Sequence, residues 1–240
     1  MSPAPKSCPI EQEEKILCAA ANCILEASLM DFTMSAIAKR AEMSMGSVYK
    51  HIHSKEDVLL ALAVKTQQNL KRCFAQIYAQ PITGPEHLIG LSLIDFNSVD
   101  PYPFSRHLEM LISNHVILER ASPIWRQRLE ESAESLTQVC RSGINSAIAG
   151  EELIADESQE DTAHQLMLAI WSLNVGSIQV GLQTMDFDQT EASQLPYPKT
   201  IDDPHILNMM RLINSFHWRQ PLTREGIERA ASVLVELGYR

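Results

Sequence analysis

The chain has 240 residues, 20 Lys/Arg against 30 Asp/Glu for a formal net charge of −10, 45 % hydrophobic and 6 % aromatic residues. That composition supports a folded core in one large or two small domains, and it excludes disorder, a collagen-like rod and a coiled-coil rod. Nine glycines and twelve prolines are too few for a loop-rich β-sandwich, and no apolar run reaches the ~18 residues a membrane span needs.

The segment Met1–Cys8 lacks the apolar stretch of a signal peptide. The five cysteines (Cys8, Cys18, Cys23, Cys73, Cys140) are odd in number and show no CxxC spacing, as expected of reduced thiols in a cytoplasmic protein. Charge is uneven. Residues 1–75 hold nine basic and eight acidic side chains, a net of +1, whereas the other 165 hold eleven and twenty-two, a net of −11. Residues 27–72 hold seven basic against four acidic, a net of +3. A basic segment joined to an acidic body suits a protein that meets polyphosphate at one end only, although a +3 excess also arises by chance.

Residues 1–10 carry three prolines and read as a flexible arm. From about Glu11 the apolar spacing is helical, with Ile16, Ala20 and Ile24 four apart, until a turn at Ser28–Phe32. Thr33 caps a short helix with Ile37, Ala38 and Ala41 inside. Ser44 caps another with Val48 and Ile52 inside. Ser54 with Asp57 three residues on forms a near capping box before a long helix that ends ahead of Pro81. Further helices are expected at Glu86–Phe96, Ser105–Arg120, a long stretch from Ser122-Pro123 to Gly150, 159–184, His205–Phe216 and 223–237, with a polar loop at 185–204. No strand pattern, repeat or low-complexity tract is present. The reading is all-α, about ten helices.

The helices capped at Thr33 and Ser44 are separated by the four residues Glu42-Met43-Ser44-Met45, the break expected of a helix-turn-helix whose second helix enters the major groove. Small residues there let a helix approach base edges, while hydroxyls and amines reach phosphates. The run from Thr33 through Ile37-Ala38, Ala41, Ser44-Met45-Gly46-Ser47-Val48-Tyr49-Lys50-His51-Ile52 to Ser54-Lys55-Glu56-Asp57-Val58-Leu59 resembles the DNA-binding domain of the TetR family of bacterial transcriptional regulators. The resemblance spans about residues 12–62; beyond residue 75 only length and helical character are similar. Three positions depart from the family pattern. Glu42 stands at the usual turn glycine, Ile52 at the usual core aromatic, and Ser28-Leu29 at a usual Gly-aromatic pair.

The resemblance implies a three-helix DNA-binding domain at 11–53, with the helix-turn-helix at about 33–52, and a ligand-binding and dimerisation domain at 54–240. It implies a phosphate contact for Thr33, groove-facing positions for Ser44, Met45, Gly46, Ser47 and Lys50, a place at the groove margin for Tyr49 and His51, and a backbone clamp for Lys55. Tyr49 is the phosphate-binding tyrosine, or else a core aromatic. The two lysines have the alternative of plain solvation, and Met45 that of a surface apolar residue.

The implied partners are a double-stranded, palindromic DNA operator, a second copy of the chain through 159–184 and 223–237, and a small lipophilic effector; no membrane is involved. Small residues Ser172, Gly176, Ser177, Ala230 and Ala231 suit close helix approach. Expected effector-lining residues are polar groups interrupting apolar faces, Asn114, His115, Asn174 and Gln179, with Phe96, Met110, Trp125 and Trp171 as walls. The same residues also suit an ordinary core. Neither a metal nor another cofactor is expected: His51-x-His53 has no third ligand nearby, and His107 and His115 align only loosely. No nucleophile motif, P-loop or dinucleotide fingerprint marks an enzyme. The expectation is a regulator, most simply a repressor. The alternatives are an activator of the same fold, or a helical small-molecule binder or adaptor whose helix-turn-helix serves protein contact.

Overall fold

The computed structural model describes residues 9–155, 158–183 and 197–240. Among them are twelve helices and no strand: α1 Pro9–Glu26, α2 Met34–Arg40, α3 Met45–Val48, α4 Lys55–Tyr78, α5 Gly84–Leu93, α6 Phe96–Val99, α7 Ser105–Ile112, α8 His115–Arg120, α9 Pro123–Ala149, α10 Gln159–Gln183, α11 Pro204–Ile213 and α12 Arg224–Glu236. The arm expected at 1–10 and the loop expected at 185–204 lie largely outside the described residues.

The side-chain caps act as the sequence implies. Thr33 accepts the Ala36 N–H (3.1 Å), Ser44 the Ser47 N–H (3.1 Å), Ser54 the Asp57 N–H (3.0 Å) and Thr223 the Gly226 N–H (3.2 Å). Each satisfies one of the donors that a helix start leaves open. Two stretches differ from expectation. The helix expected over Ser105–Arg120 is broken into α7 and α8, because Asn114 turns extended and its side chain caps α8 by accepting the Val116 N–H at 2.9 Å. The helix expected to reach Phe96 stops at Leu93, where Ile94 turns extended; Asp95 then caps the single turn α6. These breaks account for twelve helices rather than ten.

The chain forms two compact units. One combines residues up to Gln67 with Pro101–Ala133, the other Gln68–Asp100 with Glu134–Arg240. The helix-turn-helix expected at 33–52 lies wholly within the first. Its core joins α1, α2, α3 and the first half of α4 to residues of α7 and the start of α9. Ile37, Ala38, Ala41, Val48 and Ile52 are all buried there, as their spacing implied. Phe32, which the sequence places in a turn, is fully buried and supplies an aromatic to the same cluster as Ile52. The fully buried Asp57 carboxylate accepts the His53 N–H (3.0 Å) and the Ser122 N–H (2.7 Å), fastening the start of α4 to the residue before α9. Two backbone donors on one buried carboxylate compensate its desolvation.

In the second unit α5 is buried on nearly all sides and α11 and α12 pack on it. Buried Glu86 accepts the Thr83 N–H (3.0 Å) and pairs with Arg229. Gly143 of α9 lets the Tyr78 ring of α4 approach so closely that any side chain there would overlap the ring.

Candidate nucleic-acid interface

The interface begins with the turn between α2 and α3. Glu42 has φ of +52°, the left-handed conformation that glycine adopts without steric cost. The Glu42 N–H donates to Lys39 O (3.2 Å) and the Met43 N–H to Ala38 O (3.0 Å), the paired bonds of a Schellman motif. Glu42 therefore holds the geometry of a turn glycine, at a strain cost. Its carboxylate lies 3.6 Å from Lys15 Nζ of α1.

The motif aims α3 outward. Val48 is fully buried and anchors the helix, leaving Ser44, Gly46, Tyr49 and Lys50 exposed and Ser47 half-buried. A Cβ at Gly46 would meet no atom closer than Ser44 Oγ at 4.0 Å, so nothing within the chain demands glycine there. Among the described residues the Tyr49 hydroxyl and the Lys50 ammonium make no hydrogen bond or ion pair. Thr33 is exposed at the start of α2, and its hydroxyl, besides capping, lies 3.1 Å from Ser35 Oγ. Arg40 is held by Glu26 at 2.6 Å to both carboxylate oxygens. Lys39 remains exposed.

Three residues expected at the DNA face have partners inside the unit. The His51 ring nitrogen Nε2 lies 3.0 Å from Gln12 Oε1 of α1, and its carbonyl accepts the Trp125 indole N–H at 3.2 Å. Met45 is half-buried against the core. Lys55 Nζ donates to Met30 O (2.8 Å) and sits 4.8 Å from the centre of the Phe32 ring, so it binds the turn before α2 to the start of α4.

The residues expected to line an effector site are dispersed. Asn114 caps α8, and exposed His115 is 3.0 Å from Glu119. Trp125 is buried in the first unit beneath Arg128, where it braces the helix-turn-helix through His51. Met110 is half-buried, also in the first unit. In the second unit Trp171 is 62 % exposed, and Gln179 is exposed too. Helical periodicity places an aromatic on a face but does not say what covers that face. Phe96 and Asn174 are the two that lie in a mixed apolar and polar setting. Phe96 packs edge-on against Tyr197 (5.0 Å between centroids). Asn174 Oδ1 accepts from the Ser92 hydroxyl and lies 3.0 Å from His205 Nε2. Sequence reasoning missed Ser92, Tyr197 and His205; the polar interruptions at Ser92 in apolar α5 and at the start of α11 were the available signal.

Burial holds the His205 imidazole pKa down to about 4, helped by the Lys199 ammonium and opposed by Asp203. Burial also raises the Cys23, Cys73 and Cys140 thiols, the last to about 11, so these cysteines stay protonated. No helix among the described residues is long and apolar enough to cross a membrane, and no cluster of three or more metal-ligating side chains occurs among them.

A capped α2, a Schellman turn and a short outward helix locked by one buried valine define a helix-turn-helix DNA-binding protein. Residues 16–62 match the sequence profile described as bacterial regulatory proteins, tetR family. Over that stretch the chain is similar to the TetR family of DNA-binding transcriptional regulators. No curated protein matches the sequence significantly. Similar solved structures include Salmonella enterica GusR (17 % identity, TM-score 0.52, covering 98 % of each chain). They also include the regulator FadR from Bacillus subtilis in complex with stearoyl-CoA (17 %, 0.51, covering 71 % of this chain and 87 % of that one) and a SmeT–triclosan complex (16 %, 0.51, covering 89 % and 95 %). At these identities the likeness is one of fold.

Proposed function

We propose that the chain is a non-enzymatic cytoplasmic repressor that binds a palindromic operator as a homodimer and is released by a small lipophilic effector. The DNA-binding domain is residues 11–53, and the ligand-binding and dimerisation domain is 54–240. Gly46 is the observation that carries the DNA face. A helical glycine costs roughly 0.5–1 kcal/mol relative to alanine, and here no neighbour in the chain requires it. An exposed glycine beside free Tyr49 and Lys50 fits a surface that must come close to a duplex. Ser44, Ser47 and Lys50 then face base edges, while Thr33 and Tyr49 hold phosphates. Lys55, Met45 and His51 act at one remove, by fixing the turn, the core and α1.

One short helix reads few bases, so two copies are needed, with recognition helices roughly 34–36 Å apart. The dimer surface is the outward stripe of α10, where Leu168, Trp171 and Val175, spaced i, i+3 and i+7, are each about half exposed or more and Gly176 has open space around it. A contiguous apolar stripe on a surface helix fits a protein interface. Ala230 of α12 is buried within the unit and Val235 alone of that helix's large apolar residues is well exposed, so α10 dominates the contact. The stearoyl-CoA and triclosan held by the two neighbours named above support an effector with a large apolar part.

The test is Gly46→Ala, measured for stability and for binding to the region upstream of its own coding sequence. The variant should fold with equal or slightly higher stability and lose most operator affinity. Undiminished affinity would overturn the assignment of α3 as the reading helix, and would favour protein contact as the role of this surface.

A further inference from the structure

The second unit contains a buried polar cluster that its own packing leaves incomplete. Ser92 of α5 is 2 % exposed and His205 of α11 is 8 % exposed. The Asn174 Oδ1 of α10 accepts at 3.0 Å from the Ser92 hydroxyl and lies 3.0 Å from His205 Nε2. A carbonyl oxygen only accepts, so Nε2 carries the imidazole proton and Nδ1 is a bare lone pair. Among the described residues Nδ1 is buried and has no hydrogen-bond partner. A buried acceptor without a donor is costly and uncommon, and such atoms in native proteins mark a missing water, ion or ligand.

The surroundings narrow the missing group. Lys199, 12 % exposed at its side chain, is 3.8 Å from Asp203 and lies over the Tyr197 ring at 5.6 Å, while Tyr197 packs against Phe96. Asp203 Oδ1 is occupied by the His205 backbone N–H at 2.8 Å. Burial, helped by the neighbouring ammonium, keeps the imidazole neutral, so the ring cannot act as a cationic clamp for an anion. What Nδ1 lacks is a donor.

We propose that His205 Nδ1 is the polar anchor of the effector site, accepting a hydrogen bond from the hydroxyl of an otherwise apolar ligand. Asn174 and Ser92 position the ring by fixing its tautomer. This rests on the effector reading above and names the chemical class that the effector must present. It also explains why three elements distant in sequence, α5, α10 and α11, converge on one amide oxygen that serves two donors and leaves a third group unsatisfied.

The test uses the full chain and two matched probe pairs, decanol against methyl nonyl ether and naphthol against methoxynaphthalene. Each pair has similar apolar bulk and differs by the O–H donor. The wild type should bind each alcohol on the order of tenfold more tightly than its ether. His205→Gln keeps a donor towards Asn174 but no acceptor in the Nδ1 position, and should lose the preference. His205→Asn places an oxygen near that position and should retain it. In the free wild type, nitrogen NMR of the His205 ring should show a proton-free Nδ1 whose resonance moves when alcohol is added. Equal affinity for alcohol and ether, a preference that survives in His205→Gln, or a protonated Nδ1 would each overturn the anchor. If alcohol and ether bind alike and release operator DNA alike, the effector reading stands and the anchor alone fails. If no probe binds while the same samples still bind operator, both the anchor and the lipophilic effector fail and the DNA-binding reading is untouched.

Discussion

Glu42 allows the helix-turn-helix geometry to be tested without altering the side chains assigned to base edges and phosphates. Its φ of +52° costs a residue with a Cβ roughly 1–2 kcal/mol relative to glycine. Glycine returns about 0.4–1 kcal/mol of that through the greater freedom of the unfolded chain. The Lys15 pair is exposed on both sides, 51 % and 83 %, and is worth little. Comparing Glu42→Gly with Glu42→Ala removes the carboxylate and the ion pair from both variants and isolates the backbone effect. The glycine variant should be the more stable by about 1 kcal/mol, read as a higher urea midpoint with unchanged slope. Fluorescence of Trp125, buried in the same unit, reports the transition in a background where Trp171 and Trp218 are phenylalanine. Both variants should also bind every DNA sequence more tightly than wild type, because a negative charge leaves the vicinity of phosphates. A glycine variant equal to or below the alanine variant in stability would refute the strain argument. Reduced DNA affinity in both would show that the Glu42 carboxylate itself makes a needed contact.

Three further outcomes follow from named groups. Tyr49→Phe should leave stability unchanged and weaken binding to all DNA sequences alike, by about 1–2 kcal/mol for one hydroxyl bond to a charged phosphate oxygen; a gel shift showing undiminished affinity for operator and random duplex would remove Tyr49 from the phosphate contacts. Trp171→Asp, on the exposed face of α10, should give a monomer by light scattering at micromolar concentration and abolish cooperative binding to a palindrome, whereas a persistent dimer would place the interface elsewhere. The His205 pKa of about 4 lies below the 6.5 of the unfolded chain, so acid favours unfolding between these values. Stability present above pH 6.5 should fall by about 2 kcal/mol at pH 5, and His205→Gln should remove most of that loss, as measured by urea midpoints at the two pH values.

The local signals were legible in the sequence because their causes are local. Thr33, Ser44 and Ser54 cap helices through bonds to residues three positions on, and Ile37, Ala38, Val48 and Ile52 face inward because a helix repeats every 3.6 residues. These determine an all-α chain with a helix-turn-helix near its start. The left-handed turn at Glu42 ran against residue preference and was still adopted, since two backbone bonds and the buried Ala41 and Val48 on either side outweigh the strain of one residue. Only the tertiary structure decided which apolar faces are covered. Trp125 is followed by Arg126-Gln127-Arg128 and Trp171 lies in an apolar run, yet the first is buried under Arg128 and the second is 62 % exposed on α10. The same holds for polar groups: Asn114 spends its oxygen on the next helix, whereas Asn174 meets Ser92 and His205, 82 and 31 residues away. Burial and long-range hydrogen bonding depend on elements that chain order does not bring together, and so the cluster left one donor short at His205 was decided by the fold alone.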